Sequence, residues 1–329
     1  MIERLRRWYE AVRNRWLPFQ ASRLGQRVLT GLRWLLVGGI IAYLAYQLTT
    51  IGWAEVWTSL PTTPWFYVLL LLMYATLPAT EAILYGRTWT ARYRDLLPVL
   101  LRKRVLNNDV LGYSGEAYFY LWVQRHTNLA RRQIAETIKD NTIISSVAST
   151  TVAFLLLAAF FLTGQIALLD PYLPDATSTL AGGLAILIGL TAVGITFRRA
   201  IFSLPVALLG LFAAGHLMRF VLNNGFQVVQ WAIVIPEVPL GSWITLLALY
   251  IIINQIPFVP ARGLFFLSAS VELSGPLQIP TAAVASMLLA QNLIDRGLNL
   301  LVYAGTTAVE ATGDASDRMD ALSIPEDIQ

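Results

Sequence analysis

Long apolar runs, interrupted twice by polar stretches rich in glycine and proline, set the pattern of this chain. In order they cover about 33–49, 64–85, 142–163, 180–197, 204–235, 243–256 and 281–307. About 20 apolar residues cross a bilayer as a helix. The pattern therefore predicts an all-α integral membrane protein, a polytopic bundle of about seven transmembrane helices. One domain is expected over 33–308, after a basic segment at 1–32 and before an acidic, disordered tail at 309–329.

The interruptions fall at about 95–123 and 254–280. The first reads DLLPVLLRKRVLNNDVLGYSGEAYFYLWV, with Arg102-Lys103-Arg104 leading into Asn107-Asn108-Asp109, then Gly112, Gly115 and Glu116. It is too apolar at its ends for a water-exposed loop and too polar in the middle for a lipid-facing helix. Broken backbone at membrane depth is tolerated where protein or a water-filled cavity satisfies it, so a re-entrant hairpin is expected. The alternative is an interfacial loop touching headgroups. The second stretch repeats the order of features: amides (Asn254, Gln255), then glycine (Gly263), then glutamate (Glu272). Matching interruptions in two halves point to an inverted repeat with a site at its interface. Gly112, Gly115 and Gly263 most simply permit turns or close packing; exposing backbone donors to an anion is the sharper use.

Charge placement supplies the sidedness. Basic residues fall on alternate connections, at Arg87, Arg92, Arg94 and 102–104, then Arg125, Arg131, Arg132 and Lys139, then Arg198-Arg199. The connections TIGWAEVWTSLPTT, GQIALLDPYLPDATS and PEVPLGS carry none. Cytoplasmic loops hold the Lys/Arg excess, which puts the N-terminus inside and the C-terminus outside a bacterial-type plasma (inner) membrane. Arginines interleaved with Trp8, Tyr9, Trp16 and Phe19 suit an interfacial helix on an anionic leaflet, or serve as a topology signal alone.

Composition agrees: 56% of the 329 residues are hydrophobic and 13% charged, with a net charge of +4. Soluble domains average about 25% charged. The absence of cysteine excludes disulfides and thiolate chemistry, and two histidines, His126 and His216, argue against a multi-histidine metal centre. No cofactor is expected. No nucleophile elbow, phosphate-binding P-loop or HExxH pattern is present, so an enzyme is not expected. The basic residues mark membrane sidedness rather than a nucleic-acid footprint.

Ionisable residues inside spans are costly and usually face the interior, paired. Glu81 either reaches water at the end of its span or turns inward. His216, Arg219 and Asn223 share one helical face. Arg219 suits a phosphate or carboxylate ligand, or is a structural partner for Asp295 or Glu116. Gln291, Asp295 and Asn299 repeat at i, i+4 and i+8, with Arg296 beside them, as a cavity lining or as polar glue between helices. Asp295 next to Arg296 is expected to neutralise itself largely.

The run Asn107-Asn108-Asp109-Val110-Leu111-Gly112-Tyr113-Ser114-Gly115-Glu116, followed by the basic segment Arg125-His126-Thr127-Asn128-Leu129-Ala130-Arg131-Arg132 and a later Pro/Gly break, resembles the lysylphosphatidylglycerol synthase transmembrane-region family over about 35–308. The second element reads Pro257-Phe258-Val259-Pro260-Ala261-Arg262-Gly263, with Phe266 where the family carries an acid. The resemblance implies re-entrant elements and movement of a lipid headgroup between leaflets. No aminoacyl-transfer domain is expected, so lipid synthesis is not implied.

These readings converge on a stand-alone, flippase-like carrier. A cavity between the broken elements would admit a charged or glycosylated headgroup. Its expected substrate-binding residues are Asn107, Asn108, Asp109, Glu116, His216, Arg219, Arg262, Asp295 and Arg296. Expected partners are membrane lipids and a membrane protein or second copy, with no nucleic acid. The alternative is a non-transporting accessory subunit of a larger membrane complex.

Overall fold

The computed structural model describes residues 31, 35, 38–39, 41–43, 45–89, 91–110, 112–162, 182, 201–255 and 261–322. The basic segment, most of the first expected span, nearly all of the fourth, and Pro257 and Pro260 of the second broken stretch lie outside them. Among the described residues the chain is helical, without a strand.

The helices are α1 (Trp53–Thr58), α2 (Pro64–Trp89), α3 (Tyr93–Val105), α4 (Ser114–His126), α5 (Arg131–Leu162), α6 (Val206–Val234), α7 (Leu240–Gln255), α8 (Arg262–Ser274) and α9 (Thr281–Leu322). A π-helical turn, Leu106–Val110, continues α3. Two helices, α2 and α6, are long and apolar enough to cross a membrane. Pro64 opens α2 at a position where its missing N–H has no partner to lose.

Packing divides the chain into two units: a larger one drawn from 61–252 and 290–329, and a smaller one from 1–60 and 253–289. In the larger unit α6 packs on α2 and α5, α2 on α3, α3 on α4, and α4 on α5. Tyr85 and Trp89 stack 4.7 Å apart, and the Tyr85 ring lies 4.9 Å from Phe119. Leu96, Val99, Leu100, Val123, Ile134 and Ile138 close this aromatic core. A β-carbon on Gly215 would stand 3.2 Å from Leu84 Cδ2, so the glycine sets how closely α6 meets α2.

In the smaller unit, Gln47 and Ser268 bond reciprocally. Gln47 Nε2 donates to the Ser268 carbonyl at 3.2 Å, and Ser268 Oγ donates to Gln47 Oε1 at 2.8 Å. Ser286 Oγ donates to the Ser59 carbonyl at 2.7 Å. An open groove of about 420 Å³ lies along Leu35, Gly39, Tyr43, Phe265, Ser268, Ala269 and Glu272.

Two expectations change. The stretch at 95–123 is a helix–break–helix hairpin, α3 and α4 joined through the π turn. The left-handed backbone falls at Tyr113 (φ 67°), beside the glycines and not on them. Ala261 (φ 50°) occupies the equivalent place before α8, so α4 and α8, each of thirteen residues, both follow one left-handed residue and have glycine second, Gly115 or Gly263. Secondly, α9 runs on to Leu322, where disorder was expected from 309.

Candidate functional site

Three consecutive side chains on a helix point about 100° apart, and Arg102-Lys103-Arg104 is distributed accordingly. Arg102 lies between the Tyr118 and Tyr303 rings, 4.9 and 5.4 Å from their centroids. Lys103 turns into the unit and is 3% exposed. Arg104 stacks 3.8 Å over Tyr74. The triplet read as a surface marker of sidedness is thus largely internal.

Lys103 Nζ lies 2.6 Å from Glu81 Oε1 and 3.5 Å from Glu116 Oε1, one ammonium between two carboxylates. Glu81, 4% exposed, does not reach water; its Oε1 also accepts from Asn141 Nδ2 at 2.9 Å. Because that nitrogen donates, Asn141 Oδ1 accepts from His216 Nε2 at 2.8 Å, which fixes the histidine proton on Nε2. His216 Nδ1 is buried without a partner. A continuous polar line thus joins α6, α5, α2, α3 and α4.

The break in the hairpin is held by the same group. Asn107 Oδ1 accepts from the Gly115 amide at 2.8 Å and its Nδ2 donates to Glu116 Oε1 at 3.1 Å. Ser114 Oγ donates to the Leu106 carbonyl at 2.9 Å. A β-carbon on Gly115 would meet the Lys103 carbonyl at 2.2 Å, so only glycine allows α4 to approach α3 here. Glu116 Oε2 is buried and has no hydrogen-bond partner.

A second cluster ties the hairpin to α9. Arg104 donates to Asp295 Oδ1 and to Asn299 Oδ1, both at 2.9 Å. Asp109 accepts from Arg296 and, at 2.8 Å, from Asn299 Nδ2. Tyr74 O–H donates to Asn299 Oδ1 at 2.9 Å. Gln291 Nε2 donates to Gln227 Oε1 at 3.0 Å, and Gln230 Nε2 to the Phe66 carbonyl at 2.8 Å. The stripe on α9 therefore meets polar partners on α2, α3 and α6. Asp295 and Arg296 do not neutralise each other; the helix turns them to different partners.

Of the expected residues, Asn107, Glu116 and His216 belong to the first network, and Asp109, Asp295 and Arg296 to the second. Arg219 joins neither by a direct bond, and is not the partner of Asp295 or Glu116. Among the described residues its bond goes to Ser145 Oγ, at 3.3 Å. Asn108 is exposed, and Arg262 is exposed in the smaller unit. Sequence reading missed Lys103 and Asn141 because neither stands out locally: one hides in a basic triplet, the other precedes an apolar run. It also missed Asp140, wholly buried, whose Oδ2 accepts from the Ser203 and Leu204 amides at 2.8 Å each and pins the start of α6 to α5.

Outside the candidate spans, Arg132 bonds Glu136 at 2.8 Å, and that hydrogen bond holds the Glu136 carboxyl below its ordinary range. This exposed pair is remote from the networks in character, an ordinary i, i+4 contact on a helix surface.

The fold and these networks define a helical protein with two membrane-length apolar helices and buried charge at a break between helices. No family model, curated protein or solved structure matches the chain.

Proposed function

We propose that the chain is a polytopic membrane protein that carries a polar lipid headgroup between leaflets, as its resemblance to the lysylphosphatidylglycerol synthase transmembrane-region family implies. The observation that carries this reading is the Glu81–Lys103–Glu116–Asn107 set at the helical break. Burying charges costs several kcal/mol per ion, which pairing repays only where geometry and further hydrogen bonds are good. Apolar side chains would hold the helices together without that cost. Polar groups placed instead at a break, with the Glu116 Oε2 acceptor unmatched, suit transient contact with a hydrophilic group. In low dielectric, fixed charges offset part of a headgroup's dehydration.

The test is reconstitution of the pure protein into vesicles, with fluorescent anionic, cationic and glycosylated lipids followed across the bilayer. At least one is expected to equilibrate faster than in protein-free vesicles, and slower again with E116Q. Equal rates for every lipid with and without protein remove the proposal.

A second reading, the accessory subunit, draws on the Arg104–Asp295 and Arg296–Asp109 pairs, which clamp α9 to the hairpin as static glue would. Leu293, Leu300 and Leu301 also leave α9 with an exposed apolar row. Purification from native membranes in mild detergent decides for this reading if a stoichiometric membrane partner stays bound.

A further inference from the structure

Three helices of the larger unit, α2, α4 and α9, run in the same direction. Between α2 and α4, Lys103 joins Glu81 to Glu116, and one turn on Tyr85 packs against Phe119. Between α2 and α9 the order is again parallel. Gln227 and Gln230 of α6, bonded to each other, reach Gln291 and the Phe66 carbonyl. Eight residues further along each helix, Tyr74 meets Asn299. The C-terminal ends of α2, α4 and α9 therefore lie together. Sequence reading put Arg92 and the C-terminus on opposite sides of the membrane; the helix directions put Arg92 and the end of α9 on one side. Fifteen residues separate Tyr74 from Trp89, the last residue of α2, and the same step from Asn299 reaches Asp314. At 1.5 Å per residue α9 then projects about 12 Å further, to Leu322.

That end and its surroundings are opposite in charge. From 310 on, the chain has Glu310, Asp314, Asp317, Asp320, Glu326 and Asp327 against Arg318. At the α2–α3 and α4–α5 connections Arg87, Arg92, Arg94, Arg125, Arg131 and Arg132 are exposed. Trp89, Leu96, Val123 and Ile134 share one core, which draws the two connections to one place. The acids described there are Asp95 and Glu136, the latter paired with Arg132, so the face stays basic.

Helical register brings the two charges to one level. Arg102 lies between the Tyr118 and Tyr303 rings, so these positions face each other across α4 and α9. Seven residues make close to two turns; they lead from Tyr118 to Arg125 on α4, and from Tyr303 to position 310 on α9. Positions 314 and 317 continue that face of α9, at the level where α4 gives way to Arg131 and Arg132.

We propose that this arginine face is the docking surface for the chain's own acidic end, residues 310–327. Charges within a screening length, about 10 Å at 0.1 M salt, attract without one fixed geometry. Acidic residues contribute little to membrane sidedness, so nothing in insertion keeps an acidic end from the arginine-rich side. Helix α9 already holds the first arm of the hairpin and its break through Arg104–Asp295 and Arg296–Asp109. Docking at Arg125 fastens α4 as well, a salt-sensitive clasp over both arms. Such a clasp is independent of what the protein carries.

The chain contains no cysteine, so introduced ones are labelled alone. R92C and S316C, made separately, are treated with an impermeant thiol reagent in intact and permeabilised cells, and both are expected to react from the same side. Reaction from opposite sides overturns the proposal. The full chain with spin labels at N128C and S316C, in neutral detergent, is expected to show a short, narrow interlabel distance at low salt. That distance is expected to be lost in about 1 M salt, where the screening length is about 3 Å, and lost with E310Q/D314N/D317N. A short distance that survives both treatments reports a rigid helix without charge docking and overturns the proposal, as does a long, broad distance at low salt. The salt arm needs no substituted acid, so a misfolded triple variant does not spoil the test. Loss of the short distance at low salt in phosphatidylglycerol vesicles, but not in phosphatidylcholine ones, gives the face to an anionic bilayer surface and likewise overturns it.

Discussion

At the scale of single residues, the strongest consequences follow from burial. Lys103 and Glu81 are 3% and 4% exposed and 2.6 Å apart. Removing one partner of a buried pair strands the other charge, at a cost of about 3–5 kcal/mol, whereas replacing both by apolar groups is often neutral. K103M is therefore expected to lower thermal stability in detergent sharply, and K103M/E81L to recover part of the loss, because Glu116 still lacks its ammonium and Asn141 its acceptor. A double variant no better than the single one argues against a direct pair. Gly115 makes a steric prediction. The Lys103 carbonyl stands 2.2 Å from where its β-carbon would be, and overpacking typically costs about 1–3 kcal/mol. G115A is expected to destabilise by at least that much, while G112A, with open space around it, is expected to change little.

At the scale of elements, the hairpin is the piece on which the polar chemistry converges. Its first helix sends Lys103 to α2 and Arg104 to α9, and its π turn contributes Asn107 and Asp109. Wider π turns are rare and concentrate at functional sites. The coupling between hairpin and α9 is measurable with a double-mutant cycle on R104Q and D295N. Because Asp295 reaches solvent in part, an interaction energy of about 0.5–1 kcal/mol is expected. Additive effects of the two substitutions place no coupling there. Much of α9's polar stripe was legible: Gln291, Asp295 and Asn299 share a face because 3.6 residues make a turn. Its partners were not, since Arg104 and Tyr74 lie about two hundred residues earlier in the chain.

At the scale of the whole molecule, sidedness is the open question that the chain itself makes tractable. It contains no cysteine, so single cysteines report cleanly. Thr62 and Arg92 are exposed at opposite ends of α2. With α2 across the membrane and the N-terminus inside, T62C is expected to react with an impermeant thiol reagent in intact cells, and R92C only after permeabilisation. Labelling of both from one side rules out α2 as a span. The Lys103 and Arg104 charges are paired internally, which weakens their part in the charge asymmetry. Arg87, Arg92 and Arg94 remain to carry it.

What the amino-acid order alone determined was the helical class, the two interruptions and the positions where polarity enters apolar runs. Those features are local: hydrophobic period, proline and glycine placement, and charge spacing along one helix. It named Asn107, Glu116, His216, Asp295 and Arg296 as polar residues out of place, and in this it was informative. Only the tertiary structure decided which of them meet. Asp295 and Arg296, adjacent in sequence, take different partners, and Glu81 is buried rather than wetted. Arg219 reaches the Ser145 hydroxyl, and neither Asp295 nor Glu116, the structural partners weighed for it. The reason is physical. A helix fixes the direction in which a side chain points, but its partner is set by packing between elements distant in the chain, where loop closure carries no local signature.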